Sequence, residues 1–514
     1  MTDLQPIATA LLTVTDKTGI VELAKGLLGH GIELISTGGT RAVLREAGLP
    51  VVDISDWTGQ PEAFGGRMKT LSFQVGAGIL FDRQRDAAQA EALQVRAIDL
   101  VVCNLYAFAQ HRDLGLPIDQ LIEFVDIGGP TLIRAAAKNS AAVAVVTDPS
   151  DYSTLLDELE RHHGHTSLQQ RRQWMRQAFA LTAEYDQAIA DHLCGQPLRY
   201  GENPQQNAVF VPSRRGRSME QLAGKALSYN NLVDLDAALS VVLPLSAPAC
   251  VVVKHENPCG FAQGGALASL LERAWQGDPT SAFGSVVAVN FPMDTSDLSF
   301  LQLADKAKRK FVEVIAAPSF TAGALALLTN NANLRVITVT EATTAQPQQR
   351  RSLSLGTLVQ TPDVEPDLKR QVVSQKVPGR LDQALIDFGV HVVKALKSNA
   401  IAIVRRHEGG LQLIGMGAGQ PNRLQSVQLA VARAQANLAL LAGASQADEP
   451  LQLRDCFLIS DAFFPFADGP ALALQAGIGT LVQPGGSIRD AEVVAACDAA
   501  QAVLVHTGIR HFRH

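Results

Sequence analysis

The chain has 514 residues and a formal net charge of -6, with 47% hydrophobic and 18% charged residues. A single hydrophobic core stops growing near roughly 250–300 residues, so the length predicts two or three domains. The composition excludes a disordered chain, no basic run indicates nucleic-acid binding, and no apolar run reaches the ~18–20 residues that span a bilayer. Six cysteines without a CxxC pair, and no basic segment leading into an apolar core at the N-terminus, predict a reduced cytoplasmic protein.

The first part of the chain reads as alternating strands and helices. Strands are predicted at residues 10–14, 32–36, 51–54, 98–104 and 143–147, and apolar residues recur at helical spacing after the first of them. This alternation favours a parallel sheet covered by helices on both faces. A helix over about residues 168–189 closes this domain, which we place at residues 1–195. Residues 196–514 alternate in the same way, and we expect two α/β lobes that divide near residues 345–351.

Two polar loops, residues 13–17 and 36–40, follow the first two predicted strands. Loops at the carboxyl ends of neighbouring parallel strands converge, and their hydroxyls, glycine amides and lysine suit a phosphate. The loop alone leaves open that Thr37 and Thr40 only cap a helix. Further polar clusters near predicted strand ends offer the groups that acid–base chemistry on an anionic substrate needs.

Five motifs, TVTDKTG, STGGT, GGRMKTL, NLY and DIGGPTLIRAAAKN, occur in the order found in the inosinate cyclohydrolase domain, which resembles methylglyoxal synthase in fold. The resemblance implies catalytic roles for Lys69, Tyr106, Asp126 and Lys138. It implies nucleotide contacts at Thr15, Lys17, Thr37, Gly38, Thr40, Arg67 and Thr70. Where the family usually has histidines, this chain has Ser72-Phe73-Gln74 and Ser140. An alternative is therefore a formyltransferase with a weakened or inactive cyclohydrolase domain.

The second domain contains a buried apolar strand that leads into Lys254 and His255. The lysine is expected to lower the pKa of the imidazole and to keep it available as a base, while a structural histidine at a strand end is the alternative. His255 and Cys259 superficially match the ligands of zinc deaminases. The glutamate is adjacent to the histidine, however, and no second cysteine lies three residues beyond Cys259. This spacing does not supply the three or four ligands that zinc requires, so no metal is expected.

From residue 198 onwards the motifs LRYGENPQQ, LSYNNL, VVVKHENPCG, DPTSAFG, VKALKSNAI, IGMGAGQ, SDAFFPF, QPGGSIRD and HTGIRHFRH follow in the order of the aminoimidazole carboxamide ribonucleotide (AICAR) transformylase domain. The resemblance implies two lobes similar to cytidine deaminase without its zinc. It implies catalytic roles for Lys254, His255 and Asn399. It implies ribonucleotide contacts at Arg199, Tyr200, Asn231 and Arg510, and folate contacts at Phe463, Pro465 and Asp468. The aromatic corner at residues 460–466 suits a pterin ring but equally core packing, and Ala467 stands where the family usually has arginine.

Together these resemblances identify a member of the family of bifunctional enzymes of late purine synthesis. They imply formyl transfer from 10-formyltetrahydrofolate to AICAR, giving FAICAR, and dehydrative closure of FAICAR to inosinate (IMP). They also imply a homodimer without nucleic-acid or membrane partners. His255 would take the proton of the attacking amine, Lys254 would support the oxyanion, and Asn399 would hold the reacting groups. A non-enzymatic folate- or nucleotide-binding regulator is the rival class, and it leaves the lysine–histidine pair unexplained.

Overall fold

A computed structural model describes residues 3–213, 217–340, 348–364, 368–444 and 452–514. The chain forms two compact units, Met1–Gly195 and Gln196–His514. Part of the lobe boundary expected near residues 345–351 lies outside the described residues, because the description stops at residue 340 and resumes at residue 348. Across the described ranges, no helix combines the length and apolar character needed to cross a membrane.

The first unit contains short strands and ten α-helices among its described residues. Its strands are β1 (Leu4–Pro6), β2 (Thr9–Thr13), β3 (Glu33–Ser36), β4 (Val52–Asp53), β5 (Leu100–Cys103), β6 (Ala144–Val146) and β7 (His165–Ser167). Its helices are α1 (Ile20–Gly29), α2 (Gly38–Glu46), α3 (Ile54–Thr58), α4 (Phe73–Leu80), α5 (Ala87–Ala92), α6 (Phe108–Asp113), α7 (Ile118–Leu121), α8 (Gly128–Lys138), α9 (Tyr152–Arg161) and α10 (Leu168–Cys194). Single 3-10 turns lie at Phe64–Gly66, Ile122–Phe124 and Pro149–Asp151.

Five of these strands form a sheet in the order β4-β3-β2-β5-β6, and every neighbouring pair is parallel. The parallel sheet expected for the first domain is therefore confirmed. Apolar side chains such as Leu11, Val101 and Val145 are buried in its core. Because all five strands run in one direction, the loops that follow β2, β3 and β5 emerge at the same edge of the sheet.

The second unit is larger and also mixed in structure. Its strands are β8 (Gln196–Pro197), β9 (Val209–Phe210), β10 (Met219–Ala223), β11 (Ala249–Lys254), β12 (Asn257–Gly264), β13 (Ser285–Val289), β14 (Val312–Ala317), β15 (Arg335–Val339), β16 (Gln349–Leu353), β17 (Gly356–Gln360), β18 (Gln371–Val372), β19 (Ile401–His407), β20 (Gly410–Gly417), β21 (Phe457–Ser460), β22 (Thr480–Gln483) and β23 (Val503–His506). Its helices are α11 (Tyr229–Val242), α12 (Leu267–Trp275), α13 (Ala322–Thr329), α14 (Gln383–Ala395), α15 (Arg423–Ala444), α16 (Asp468–Gln475) and α17 (Asp490–Ala499). Its 3-10 turns are Thr295–Leu301 and Leu453–Asp455.

Twelve of these strands form one mixed sheet in the order β10-β15-β14-β13-β11-β12-β20-β19-β21-β22-β23-β18. Each half of the sheet has the same plan: an antiparallel edge strand, three parallel strands and an antiparallel hairpin. The two hairpins meet where β12 pairs with β20. Their strands are fully buried at residues such as Val251, Val252 and Ile403. The polar motifs of this unit lie at or near the ends of these buried strands.

Candidate active sites

In the first unit, the loops after β2 and β3 are joined by threonine hydroxyls. The buried Thr40 hydroxyl accepts a hydrogen bond from the Val14 amide and donates one to the Val14 carbonyl, both at 3.0 Å. The hydroxyls of Thr13 and Thr37 lie 3.2 Å apart. Thr37 precedes α2 but its side chain makes no capping hydrogen bond. The reading in which Thr37 and Thr40 merely cap a helix is therefore wrong, because their hydroxyls connect two loops.

Two lysines lie against the start of α2. A Cβ atom added at Gly38 would lie 3.3 Å from Lys69 Nζ, and one added at Gly39 would lie 3.8 Å from Lys17 Nζ. The first amides of a helix have no partner within the helix and carry the positive end of its dipole. These amides and the two ammonium groups together can bind an anionic group such as a phosphate. Lys17 also donates to the Thr15 carbonyl at 3.2 Å.

A carboxylate lies beside the start of α8, close to the same loops. A Cβ atom at Gly128 would lie 2.8 Å from Thr70 Oγ1, so the segment that carries Lys69 also reaches this helix. Asp126 Oδ1 accepts a hydrogen bond from the Gly129 amide at 2.8 Å. Burial raises the pKa of Asp126, although hydrogen bonds from backbone amides oppose the increase. A carboxyl group with a raised pKa can exchange protons closer to neutral pH.

Tyr185, on the long helix α10, forms two hydrogen bonds with the segment that contains Asp126. The Asp126 amide donates to the Tyr185 hydroxyl oxygen at 2.7 Å, and this hydroxyl donates to the Phe124 carbonyl at 3.1 Å. No sequence pattern singles out Tyr185, because one tyrosine in an amphipathic helix looks like a core residue. Its contacts assign it a supporting role for the carboxylate.

The other residues expected around the closing ring differ in their placement. Arg67 forms an ion pair with Glu123, and Lys69 Nζ lies 3.0 Å from Glu62 Oε1. Tyr106 is 46% exposed. Lys138 ends α8, ten residues beyond the helix start and therefore roughly 15 Å away along its axis. The structure brings Lys69 and Asp126 to the same group of loops, and the role of Lys138, which is exposed, stays a prediction.

The two departures from the family pattern have structural roles. Ser72 caps α4, since its hydroxyl accepts a hydrogen bond from the Val75 amide at 3.2 Å. Ser140 is buried, its hydroxyl lies 3.3 Å from Met175 Sδ, and its carbonyl accepts a hydrogen bond from Arg171 at 3.0 Å. Serine therefore satisfies local hydrogen-bonding needs at both positions.

In the second unit, Lys254 ends β11 and its ammonium is held by main-chain carbonyls. Nζ donates to the carbonyls of Phe283 and Gly284, both at 2.9 Å. Asp278 fixes this loop, because its carboxylate accepts hydrogen bonds from the amide of Ser281 at 3.0 Å and from its hydroxyl at 2.7 Å. The positive charge of Lys254 is thereby kept at the end of the strand.

His255 lies in the exposed two-residue turn that joins β11 to β12. Cys259 lies further along β12, where its buried thiol contacts the Val252 carbonyl at 3.4 Å. Burial raises the pKa of Cys259 to about 12, which disfavours the thiolate that zinc binds. Within the described residues, no group of three or more His, Cys, Asp or Glu side chains could hold a metal ion.

A cavity of about 520 Å³ collects most of the residues expected near the folate. Phe463, Pro465, Asp468, Arg510 and the catalytic candidate Asn399 all line this cavity. The aromatic corner divides its rings between two roles: Phe463 is 37% exposed, while the next phenylalanine is 1% exposed and belongs to the core. Core packing is confirmed for Phe464, whereas the contact of Phe463 with a pterin ring stays a prediction.

The side chain of Asn399 is fixed by its neighbours. Its Nδ2 donates to the Gln420 carbonyl at 2.8 Å, and its Oδ1 accepts a hydrogen bond from Arg423 Nη2 at 2.7 Å. Arg423 also pairs with Asp461, whose side chain is fully buried. Neither Arg423 nor Asp461 stands out in the sequence, since both lie in motifs whose glycines and aromatic residues are more conspicuous.

Of the remaining substrate candidates, Asn231 lies in the first turn of α11. Asn231 is buried, caps the helix reciprocally with Ser228, and donates from Nδ2 to Glu313 Oε2 at 2.8 Å. Its side chain is therefore engaged within the protein. The guanidinium of Arg199 lies 5.1 Å from the centre of the Tyr200 ring.

The fold and these contacts define a two-unit α/β protein with a separate polar site in each unit. The model of the AICARFT/IMPCHase bienzyme family matches residues 136–433, and that of the MGS-like domain matches residues 19–131. The chain is 42% identical to the bifunctional purine biosynthesis protein PurH of Xylella fastidiosa, over 100% of this chain and 99% of that protein. Over 100% of both chains, it is 43% identical to the protein of the same name from a Ruegeria species and 42% identical to that from Roseobacter denitrificans. The chain belongs to the AICARFT/IMPCHase bienzyme family.

Proposed function

We propose that this chain catalyses the last two steps of de novo IMP synthesis. It transfers a formyl group from a folate-type donor to AICAR, which gives FAICAR, and it closes FAICAR to IMP with loss of water. The observation that carries this conclusion is the 42% identity to a bifunctional relative over 100% of the chain. Both the formyltransferase and the IMP cyclohydrolase activity follow from membership of the bienzyme family.

We assign the transfer to the second unit, with 10-formyltetrahydrofolate as the donor. His255 removes a proton from the exocyclic amine of AICAR as its nitrogen attacks the formyl carbon. Lys254 stabilises the oxyanion that develops on the formyl oxygen. The bond from the formyl carbon to the folate nitrogen then breaks, and that nitrogen takes up a proton. Asn399 positions the reacting groups.

The cavity supports the assignment of the donor site. Its volume of about 520 Å³ lies within the range of small-molecule sites. Phe463 and Pro465 offer apolar faces to a pterin ring, and Asp468 offers a hydrogen-bond acceptor. Arg510, with Arg199, Tyr200 and Asn231, is assigned to the ribonucleotide.

We assign ring closure to the first unit. The carboxamide nitrogen of FAICAR attacks the formyl carbon, and the tetrahedral adduct loses its hydroxyl as water. Lys69, Tyr106 and Asp126 move the protons and stabilise the oxyanion. The segment that carries Lys69 approaches Gly38 on one side and Gly128, next to the Asp126 segment, on the other, which supports this assignment. Lys138, exposed at the end of α8, is assigned to the same proton transfers. The phosphate is assigned to Thr15, Lys17, Thr37, Gly38 and Thr40, with Arg67 and Thr70 nearby.

Three further features complete the proposal. The enzyme works without a catalytic metal, as the unsuitable environment of Cys259 supports. It works in the cytoplasm, where a reducing environment suits its six free cysteines. It forms a homodimer, which exposed apolar side chains such as Phe64, Phe73 and Ile127 support. Sedimentation of the purified chain tests the dimer, and a monomer at micromolar concentration would contradict it.

The assignment of the two sites is tested by assaying both reactions separately in full-length variants. His255→Ala is expected to lower the rate of formyl transfer about 100- to 10,000-fold, the range for loss of a general base. The same protein should close supplied FAICAR at the wild-type rate. Lys69→Ala should show the opposite pattern. Because the two activities are assigned to separate compact units, the retained activity controls only for the other unit, and thermal melting must show that the substituted unit is folded.

The two outcomes that oppose the proposal are distinct. Formyl transfer at the wild-type rate in folded His255→Ala shows that His255 is not the base. Wild-type ring closure in Lys69→Ala removes Lys69 from the cyclohydrolase site.

A further inference from the structure

The turn that carries His255 has an unfavourable backbone conformation for its sequence. Lys254 and Asn257 form the last pair of the β11–β12 hairpin, and His255 and Glu256 form the two-residue loop between them. Both loop residues have positive φ angles, 52° and 61°. Two-residue hairpin loops with two positive φ angles favour Asn-Gly or Asp-Gly, because side chains with a Cβ atom rarely adopt this conformation. The turn therefore depends on contacts from outside the hairpin.

Asp234 supplies these contacts from helix α11. Its Oδ2 accepts a hydrogen bond from the His255 amide at 3.3 Å, and its Oδ1 accepts one from the Glu256 amide at 2.6 Å. An ionised carboxylate has two acceptor oxygens and no donor, so it can satisfy both amides at once. The helix that carries Asp234 is itself fixed at its start by the capping box of Ser228 and Asn231.

Other contacts hold the turn on its remaining sides. Asn257 Nδ2 donates to the His255 carbonyl at 2.8 Å. Lys397 Nζ donates to Glu256 Oε2 at 3.1 Å, which ties the turn to the segment that carries Asn399. Asp234 differs from these groups because it alone binds both amides of the two left-handed residues.

We infer that Asp234 is a positioning residue for formyl transfer: its carboxylate holds the left-handed turn and thereby aims the His255 imidazole at the substrate amine. The inference rests on the proposed function, in which His255 is the base. Asp234 is assigned no contact with substrate or donor, because both of its oxygens accept the amides of the turn. Its removal should therefore disturb the rate of the chemical step and leave substrate binding nearly unchanged.

The substitution Asp234→Asn isolates this role. An asparagine side chain has one acceptor oxygen, and its NH2 group would oppose the second backbone amide. The turn then loses one of its two bonds and the imidazole is no longer fixed. Misplacement of a reacting group by about 1 Å reduces rates about 100-fold, so we expect kcat for transfer to fall roughly 10- to 100-fold. KM for both substrates should change less than about threefold, because the groups assigned to binding remain in place.

The experiment compares full-length Asp234→Asn, His255→Ala and the double variant, with Asp236→Asn as the matched control. Asp236 lies on the same helix, and it is exposed, so its variant should behave as wild type. If Asp234 acts through His255, the double variant should be no slower than His255→Ala alone, because a residue that positions an absent base has no further effect. Ring closure in the same samples should stay at the wild-type rate.

Three results overturn the inference. One is a wild-type kcat for transfer in Asp234→Asn. Another is a double variant whose kcat lies below that of His255→Ala by the same factor by which Asp234→Asn lowers the wild-type kcat, because Asp234 would then act independently of the imidazole. The third is a rise in KM that accounts for the whole loss of kcat/KM. The His255→Ala variant alone tests the proposed function, so failure of the base assignment is seen separately from failure of the positioning role.

Discussion

The ion pair beneath Asn399 allows a quantitative prediction. Arg423 is 8% exposed at its side chain, and its partner Asp461 is completely buried. Arg423→Met would leave the buried carboxylate without its cation and the Asn399 oxygen without its donor. Removing one partner of a buried pair typically costs about 3–5 kcal/mol. Since about 1.4 kcal/mol corresponds to a factor of ten, the equilibrium for opening the second unit should rise roughly 150- to 5,000-fold.

Hydrogen exchange measured by mass spectrometry reads this change in the full-length enzyme. Amides of the core strand Ile401–His407 should exchange faster by that factor, while those of Leu100–Cys103 in the first unit should not change. Arg433→Met on the same helix is the matched control: its pair with Asp278 is 39% exposed at the arginine and spans 3.4 Å, and the Asp278 carboxylate, 12% exposed, keeps two hydrogen bonds from Ser281 without the arginine. Such a pair contributes about 0–1 kcal/mol, so exchange should accelerate at most about fivefold.

A second substitution tests the physical cause. Asp461→Asn in the Arg423→Met background removes the uncompensated buried charge and should slow exchange again by at least roughly tenfold. If the double variant exchanges as fast as Arg423→Met alone, the buried charge does not explain the destabilisation, and the reasoning is refuted.

Four other predictions concern the two sites. Burial raises the pKa of Asp126 above its ordinary value of 3.8. The kcat/KM for ring closure should therefore begin to fall at a pH above 3.8 as the solution is made more acidic. A fall centred on the ordinary carboxyl pKa would contradict this. The folded state also binds the Asp126 proton more tightly than the unfolded chain does, so the free energy of unfolding falls as pH rises through the pKa of folded Asp126. The variant Asp126→Asn should therefore melt at a higher temperature than wild type at neutral pH. Gly38→Ala should slow ring closure and leave formyl transfer unchanged, because φ is +41° at Gly38 and the new Cβ atom would lie 3.3 Å from Lys69 Nζ. An equal loss of both activities would indicate misfolding instead. Chelation of metal ions should leave transfer unchanged, and a loss that zinc restores would overturn the metal-free site.

The parallel sheet of the first unit could be predicted because its signals are local. Short apolar runs alternate with helical spacing, and chain direction then places the polar loops at one edge. The ends of elements were less accurate where side chains intervene. The strand expected at residues 51–54 stops at Asp53, because the Asp53 carboxylate accepts a hydrogen bond from the Ser55 amide at 2.9 Å and starts α3. A side chain that caps a helix ends the strand before the apolar pattern does.

The candidate site was predictable only in part, for a related reason. The residues proposed to react, such as His255, lie in short motifs that combine unusual residue types, so the sequence marks them. The groups that hold them do not: Tyr185 lies 59 residues from Asp126, and Asp461 lies 38 residues from Arg423. Nothing in a linear pattern links such residues, because each pairing is created by the packing of separate elements.

These supporting residues nevertheless follow one physical rule. A buried or exposed turn that departs from regular structure leaves backbone amides without their usual partners, and such amides need an acceptor. Asp234 satisfies two amides of a left-handed turn, and Tyr185 satisfies the amide of Asp126. In both cases the acceptor comes from a helix that is packed independently of the loop. Since the helix cannot follow the loop, the loop is held in one conformation, and we expect the side chain proposed for the chemistry to be positioned by a group outside the loop.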